Sequence, residues 1–277
     1  PANTGGRTKH DVVVSSVSAT ARGTVGLVTS FGRIHKLSVV DIPALAPNET
    51  AMSLKGGGAV KEFVVLDKKE QPLALVDIQD GSVVALGTRR GVVKRVTLDI
   101  PKSDVFDVIK LDDNDEVVGA AMCTDNDVDL VFITSDAQLL HYSAGLVRPQ
   151  GRGAGGMAGI SLAKGAHVVT FVVAGPDWDV LTVASNTAAL PGTDPGTFKI
   201  TPLAQFPTKG RATGGVRCHT FRRTENILVF AGVASTPIRA AASAGAPLEL
   251  PTDHAKRDAT GTPLPSTIAA LAGRMSS

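Results

Sequence analysis

Aromatic side chains are scarce: one Trp, one Tyr and nine Phe among 277 residues. A core of stacked rings is therefore excluded, and the apolar filling must come from Val, Leu, Ile and Ala. Cysteine is scarcer still. Cys123 and Cys218 lie far apart and no C-x-x-C occurs, which excludes a thiolate zinc site and a disulfide framework and leaves two buried, reduced thiols as the expectation. No apolar run approaches the roughly 18 residues of a membrane span, so a soluble chain is expected. The opening P-A-N-T-G-G-R-T-K-H has no apolar centre and is not a signal peptide.

The motifs of catalysis are missing as well. There is no G-x-S-x-G, and Gly56-Gly57-Gly58 is not followed by the Lys-Ser/Thr of a phosphate loop. The histidines, His10, His35, His141, His167, His219 and His254, have no metal-ligand spacing. Asp125, Asp127 and Asp129 start a calcium-loop pattern but do not complete it, and with Asp112, Asp113, Asp115 and Glu116 they read as polar turns. No metal, cofactor or catalytic residue is expected.

What is present is Val in short runs, with 29 Gly and 16 Pro between them, which favours many short strands. One unit returns along the chain: a hairpin, a loop with Gly or cations, a third strand, a polar turn and a fourth strand. It starts at Thr24–Val40, with further strands at Val60–Leu66 and Pro72–Ile78. It returns at Ser82–Leu98, with strands at Val105–Leu111 and Glu116–Met122, and at Asp129–Ser143, with strands at Met157–Leu162 and His167–Val173. The fourth copy opens at Asp179–Thr187, swells at A-A-L-P-G-T-D-P-G and continues through Thr197–Leu203; the fifth, Thr236–Leu250, is Ala-rich and irregular. Asp11–Ala21 matches the closing strand of a unit whose hairpin is absent, as if the chain were cut from a longer one inside a repeat. I-A-A-L-A-G-R-M near the end fits a short helix or a last strand equally.

The period of roughly 45 to 60 residues gives five repeats and the tail of a sixth in one domain, 1–277: a tail at 1–22, then units at 23–80, 81–125, 126–175, 176–234 and 235–277. Such sheets, apolar on both faces, pack against one another as blades of a propeller-like ring, so an all-β fold is expected.

Charge is nearly balanced, at +2, but the signs are separated. The most cationic loop is Q-F-P-T-K-G-R-A-T-G-G-V-R-C-H-T, Gln205–Thr220; its grammar recurs at Gln150–Leu162 and more faintly at Lys256–Leu264. Glycine lets backbone approach a partner closely, and cations answer phosphate. The candidate phosphate contacts are Arg33, Lys36, Arg89, Arg90, Lys94, Arg95, Arg148, Arg152, Lys209, Arg211, Arg217, Lys256 and Arg257. Four of them crowd the Arg90-Gly91 turn, where like charges repel unless a polyanion relieves them. Arg222 and Arg223, beside Glu225, read as ordinary surface pairs.

P-T-K-G-R-A-T-G-G-V, G-M-A-G-I-S-L and hairpins such as G-V-V-K-R-V resemble the C-terminal domain of bacterial DNA gyrase A subunits and of the related topoisomerase IV protein. The resemblance implies a β-pinwheel whose blades exchange strands and whose outer rim binds and bends duplex DNA. It further implies a non-catalytic domain, monomeric when isolated. Its partners would be double-stranded DNA, an ATPase B subunit and the catalytic core of the same A subunit, in the bacterial cytoplasm at the nucleoid. The family's Q-[RK]-R-G-G-[RK]-G box is approached only at Gln150–Gly156, Q-G-R-G-A-G-G, which lacks two of the three cations and is read as a rim loop; a true box would belong upstream. That family cuts DNA with a tyrosine in another domain; the one tyrosine here, Tyr142, falls on a blade strand. A propeller that serves as a protein-interaction scaffold stands as the alternative, since net charge is near zero and the acidic turns could seat a basic partner.

Overall fold

The computed structural model describes residues 6–44, 54–189 and 194–273. Part of the swollen hairpin tip and Arg274-Met275 lie outside the described residues. The first unit holds β1 (Thr24–Thr29), β2 (Arg33–Ser38) and β3 (Pro72–Asp77). The second holds β4 (Val83–Thr88), β5 (Val92–Thr97), β6 (Val105–Asp107) and β7 (Val117–Met122). The third runs through β8 (Asp129–Thr134), β9 (Gln138–Ser143), β10 (Pro149–Gln150), β11 (Met157–Ala158) and β12 (Val168–Ala174). The fourth has β13 (Asp179–Ser185), β14 (Thr197–Pro202), β15 (Val216–Arg217) and β16 (Ile227–Ala234). The fifth has β17 (Arg239–Ala241), β18 (Pro247–Leu248), β19 (Thr262–Pro263) and β20 (Ala270–Ala272).

Sheet membership crosses unit boundaries. The sheets run β3-β1-β2-β6, β7-β4-β5 with β10 and β11 beyond, β12-β8-β9-β15, β16-β13-β14-β19, and β20-β17-β18. Each of the second to fourth units thus keeps its hairpin and its innermost strand and lends its loop strand to the outer edge of the preceding sheet, as the fifth lends β19. The lent strands are short. Their grip depends on the hairpin tip, whose turn residue has positive φ in each case and turns its carbonyl outward: Val108 N donates to Gly32 O, Cys218 N to Ala137 O and Leu264 N to Gly196 O, at 2.8–3.0 Å.

The fifth sheet receives the same bond from the chain's beginning. His10 N donates to Gly245 O at 2.9 Å, and the Arg7 guanidinium donates to Leu248 O and Ala240 O. Asp11, buried, holds that guanidinium through both carboxylate oxygens at 2.9 and 3.0 Å. Val13–Ser16 then line a central cavity of about 850 Å³, together with Leu73 of β3 and Ala270 of β20. The segment 11–21 makes no strand of a sheet, contrary to expectation, yet Ser15 Oγ accepts from Leu75 N and so joins the first blade to the last. The described residues close into a ring.

Apolar clusters fill the spaces between blades. Val28, Val76, Val84 and Val117 pack between the first and second sheets, Ala85, Leu130, Phe132 and Phe171 between the second and third, and Val131, Val180 and Leu228 between the third and fourth. Strands such as β13 are buried along their whole length, as two-sided packing requires. Gly119 is needed where blades approach, because a Cβ there would stand 2.1 Å from Phe171 O.

Several expected strands differ. Val60–Leu66 contains a 3₁₀ turn at Val60–Glu62 and leaves Val65 92% exposed, since among the described residues no hairpin precedes β1 to receive a lent strand. Val105–Leu111 shrinks to β6, and Met157–Leu162 to β11; both pair with the preceding sheet. Ala270–Ala272 is a strand and not a helix. β16 was not foreseen, although I-L-V-F-A-G-V-A reads as a buried strand.

Candidate nucleic-acid interface

The lent loops are the outermost layer, and they touch one another in succession. Lys110 N donates to Ala154 O at 3.1 Å, Ala212 N to Gly159 O at 2.8 Å, Ser161 N to Thr213 O at 3.0 Å and Thr220 N to Ala259 O at 3.1 Å. A hydrogen-bonded band therefore runs along the outer edge of four sheets. Glycines keep it close to the blades: Gly156 and Gly215, both at positive φ, lie where a Cβ would meet Val93 O and Leu139 O at 2.7 and 2.6 Å.

Seven of the thirteen candidate cations stand on this band. Arg148, Lys209, Arg217 and Lys256 are exposed or nearly so, and Arg152, Arg211 and Arg257 half-exposed. Arg152 lies over the Phe106 ring at 5.4 Å. Lys209 Nζ donates to Gly215 O at 3.2 Å, and Arg211 to Ala158 O at 2.5 Å, so both are steered by the band's own carbonyls. The band is basic from its second loop onward. Its first, D-I-P-K-S-D-V-F-D, carries Asp99, Asp104 and Asp107 against Lys102.

The other six candidates are placed differently. Lys94 and Arg95 are interior, 0% and 3% exposed, which corrects their reading as free hairpin-tip charges. Lys94 Nζ donates to Val108 O, Arg152 O and Ala154 O at 2.9, 2.8 and 2.7 Å. Arg95 donates to Asn126 Oδ1 at 2.6 Å and to Cys123 O and Ala144 O at 3.0 and 3.1 Å. Lys36 Nζ is tied to Pro101 O at 2.6 Å. Arg33 pairs with Asp67 at 2.7 Å and Asp107 at 3.6 Å and Arg89 with Glu116 at 3.4 Å, whereas the Arg90 guanidinium donates to the backbone Asp113 O and only its backbone N–H reaches Asp115 Oδ1. The acidic segment D-D-N-D-E of the same unit thus stands beside the Arg90-Gly91 turn, with the side-chain ion pair Arg89–Glu116 between them. Among the described residues the Arg222 side chain makes no carboxylate pair; it donates to Gly261 O.

Sequence reasoning missed Lys199. It is buried and reaches Lys256 O and Arg257 O, as Lys94 reaches the loop of the third unit. The signal was there: both lysines stand three residues after a hairpin glycine, in Gly91-Val-Val-Lys94 and Gly196-Thr-Phe-Lys199. Burial pulls both ammonium groups down to about 8, Arg152 adding to the effect at Lys94. His141 spans Asp129 Oδ2 and Phe206 O at 2.8 and 3.0 Å and holds the stretch before Lys209. His219, buried against Thr182 Oγ1 at 2.8 Å, is pushed to about 4 by burial and by Lys199 and Arg222. Tyr142 is buried, with its hydroxyl donated to Gly159 O at 3.3 Å and its acidity suppressed by burial. Cys123 and Cys218 are free and buried, and the described residues contain no cluster of His, Cys, Asp or Glu fit for a metal.

The family described as DNA gyrase C-terminal domain, beta-propeller, matches residues 108–124, 129–174 and 192–222, which include the second and third of the four band loops. The chain is similar in sequence to the DNA gyrase A C-terminal β-propellers over these stretches. The DNA gyrase A protein of Mycobacterium bovis is 26% identical over 232 residues, covering 81% of this chain and 26% of that protein. The Salmonella typhimurium gyrase A protein is 27% identical over 214 residues, covering 75% and 23%. The chain spans about a quarter of the length of these gyrase proteins. A topoisomerase IV C-terminal domain shares the fold with a TM-score of 0.73 at 18% identity, covering 91% of this chain and 79% of that one. A gyrase A C-terminal domain does so at 0.68 and 17%, covering 93% and 84%.

Proposed function

We propose that this propeller is a non-catalytic domain that binds duplex DNA along its outer band and bends it. The observation that carries the reading is the continuity of the band, on which exposed cations follow one another from Arg148 to Lys256 around a curved edge. Smooth bending of a few tens of base pairs costs on the order of 1–6 kcal/mol. Spaced phosphate contacts offset that cost, each releasing counterions, and a curved row of arginines and lysines supplies them without reading bases. The pairing of Arg33 and Arg89 with carboxylates, and the hold of the acidic turn's backbone on Arg90, set these three apart from the row.

In the parent protein, a type IIA topoisomerase, the domain presents a DNA segment to the catalytic core of the same A subunit, which works with an ATPase B subunit in the bacterial cytoplasm. The chemistry of strand breakage lies elsewhere, since Tyr142 is sealed inside a blade. Ligation of nicked circles with and without the domain tests the reading. A protein-dependent shift in linking number supports wrapping; unchanged topoisomers at saturating protein refute it.

A further inference from the structure

Between β10 and β11, which pair with β5, the second loop of the band has few side chains of its own to hold its shape. In the second loop Gly151, Gly153, Ala154, Gly155 and Gly156 carry at most a methyl group, and a Cβ added at Gly151 or Gly153 would meet nothing within 4 Å. Glycine-rich backbone has high conformational freedom, so an unsupported stretch of this kind would not keep Arg148 and Arg152 at a fixed spacing. The support comes from beneath. Lys94 crosses from β5 and gives its three N–H groups to Val108 O, Arg152 O and Ala154 O. Val108 follows the strand lent by the second unit, whereas Arg152 and Ala154 belong to the loop lent by the third. The ammonium therefore joins two consecutive loops where Lys110 N also meets Ala154 O.

We propose that Lys94 is a positioning residue, whose three-carbonyl clamp fixes the 148–158 loop so that Arg148 and Arg152 engage the DNA backbone together. The inference rests on the DNA-binding reading above. A wholly buried ammonium is costly, and an apolar side chain of similar volume would pack the site more cheaply. Its three carbonyl partners give it a role that a methionine cannot fill. Lys199 repeats the arrangement beneath Lys256 and Arg257 with two carbonyls.

The test uses the full chain and a fluorescent duplex of about 40 base pairs, long enough to follow a bend. The variants are Lys94→Met, Lys94→Gln (which keeps two donors) and Arg148→Ala/Arg152→Ala, alone and combined. Lys94→Met should raise hydrogen exchange at amides 151–158 in the absence of DNA and weaken binding about tenfold. It should also lower the salt slope by about 1.8, the share of two phosphate contacts. In its background the two arginine substitutions should have little further effect, a non-additivity that a general loss of stability does not produce. Lys94→Gln should fall between, and gives the same readouts if Lys94→Met fails to fold. Unchanged exchange at 151–158, or additive losses, overturns the clamp while leaving DNA binding intact. A wild-type chain that binds no duplex overturns both readings.

Discussion

Substituting Asp11 tests how the ring is closed. Asp11 has a side chain 2% exposed, accepts two hydrogen bonds from Arg7 and lies 3.9 Å from Arg239. Arg7 in turn bonds Leu248 O and Ala240 O, so this carboxylate is the main counter-charge of the guanidinium that grips the fifth sheet, with exposed Glu249 farther off at 3.7 Å. Removing one partner of a buried ion pair costs about 3–5 kcal/mol. Arg7 retains some contact with water, which sets the expectation for Asp11→Ala at the lower end, about 3 kcal/mol. Urea unfolding of both chains measures the loss. Small-angle scattering should show a larger radius of gyration, and hydrogen exchange should rise at 7–16 and 240–250 before other segments. A loss below about 0.5 kcal/mol, with scattering unchanged, would refute closure by this segment.

Three further outcomes follow from buried groups. His219 is held neutral with a value near 4 against an ordinary 6.5, so its contribution is complete above pH 6.5 and is lost as pH falls through 4. His219→Gln should flatten the fall in unfolding free energy across that window by about 3 kcal/mol, measured by urea titration at each pH. Lys94 and Lys199, lowered from 10.5 to about 8, act in a higher window. Unfolding takes up protons between those values, so their contribution grows from pH 8 to 10.5, and Lys199→Met should remove part of that rise. Gly119→Ala places a methyl against Phe171 O and should cost about 1–3 kcal/mol or more, read from the melting temperature.

The hairpins were legible because their tips announce themselves. Phe31-Gly32 and Arg90-Gly91 sit between Val-rich runs, and the turn geometry demands positive φ at the glycine. The destination of the lent strands was not legible from pattern. Val216–Arg217 and Thr262–Pro263 are two residues long and owe their strand character to the neighbour's edge, a tertiary effect with no local signature. The band cations from Arg148 to Arg257 were readable because glycine and charge occur together there. Lys94 and Arg95 misled because adjacent strand residues point to opposite faces, which would expose one of a pair on an ordinary sheet. Here a blade lies on one side and a lent loop covers the edge, so both are buried, and hydrophobic parity carries no information about which cation meets water.

The most direct test of the account is the salt dependence of duplex affinity, for the wild-type chain and for two charge reversals. Seven band cations, each making one phosphate contact, give a log–log slope of about −6. Reversing Lys209, Arg217 and Lys256 to Glu should reduce the slope by about 3 and weaken binding by orders of magnitude, whereas reversing Arg89 and Arg90 should change little. An equal loss from both reversals, or a wild-type slope near zero, would contradict the assignment of the band as the surface that holds DNA.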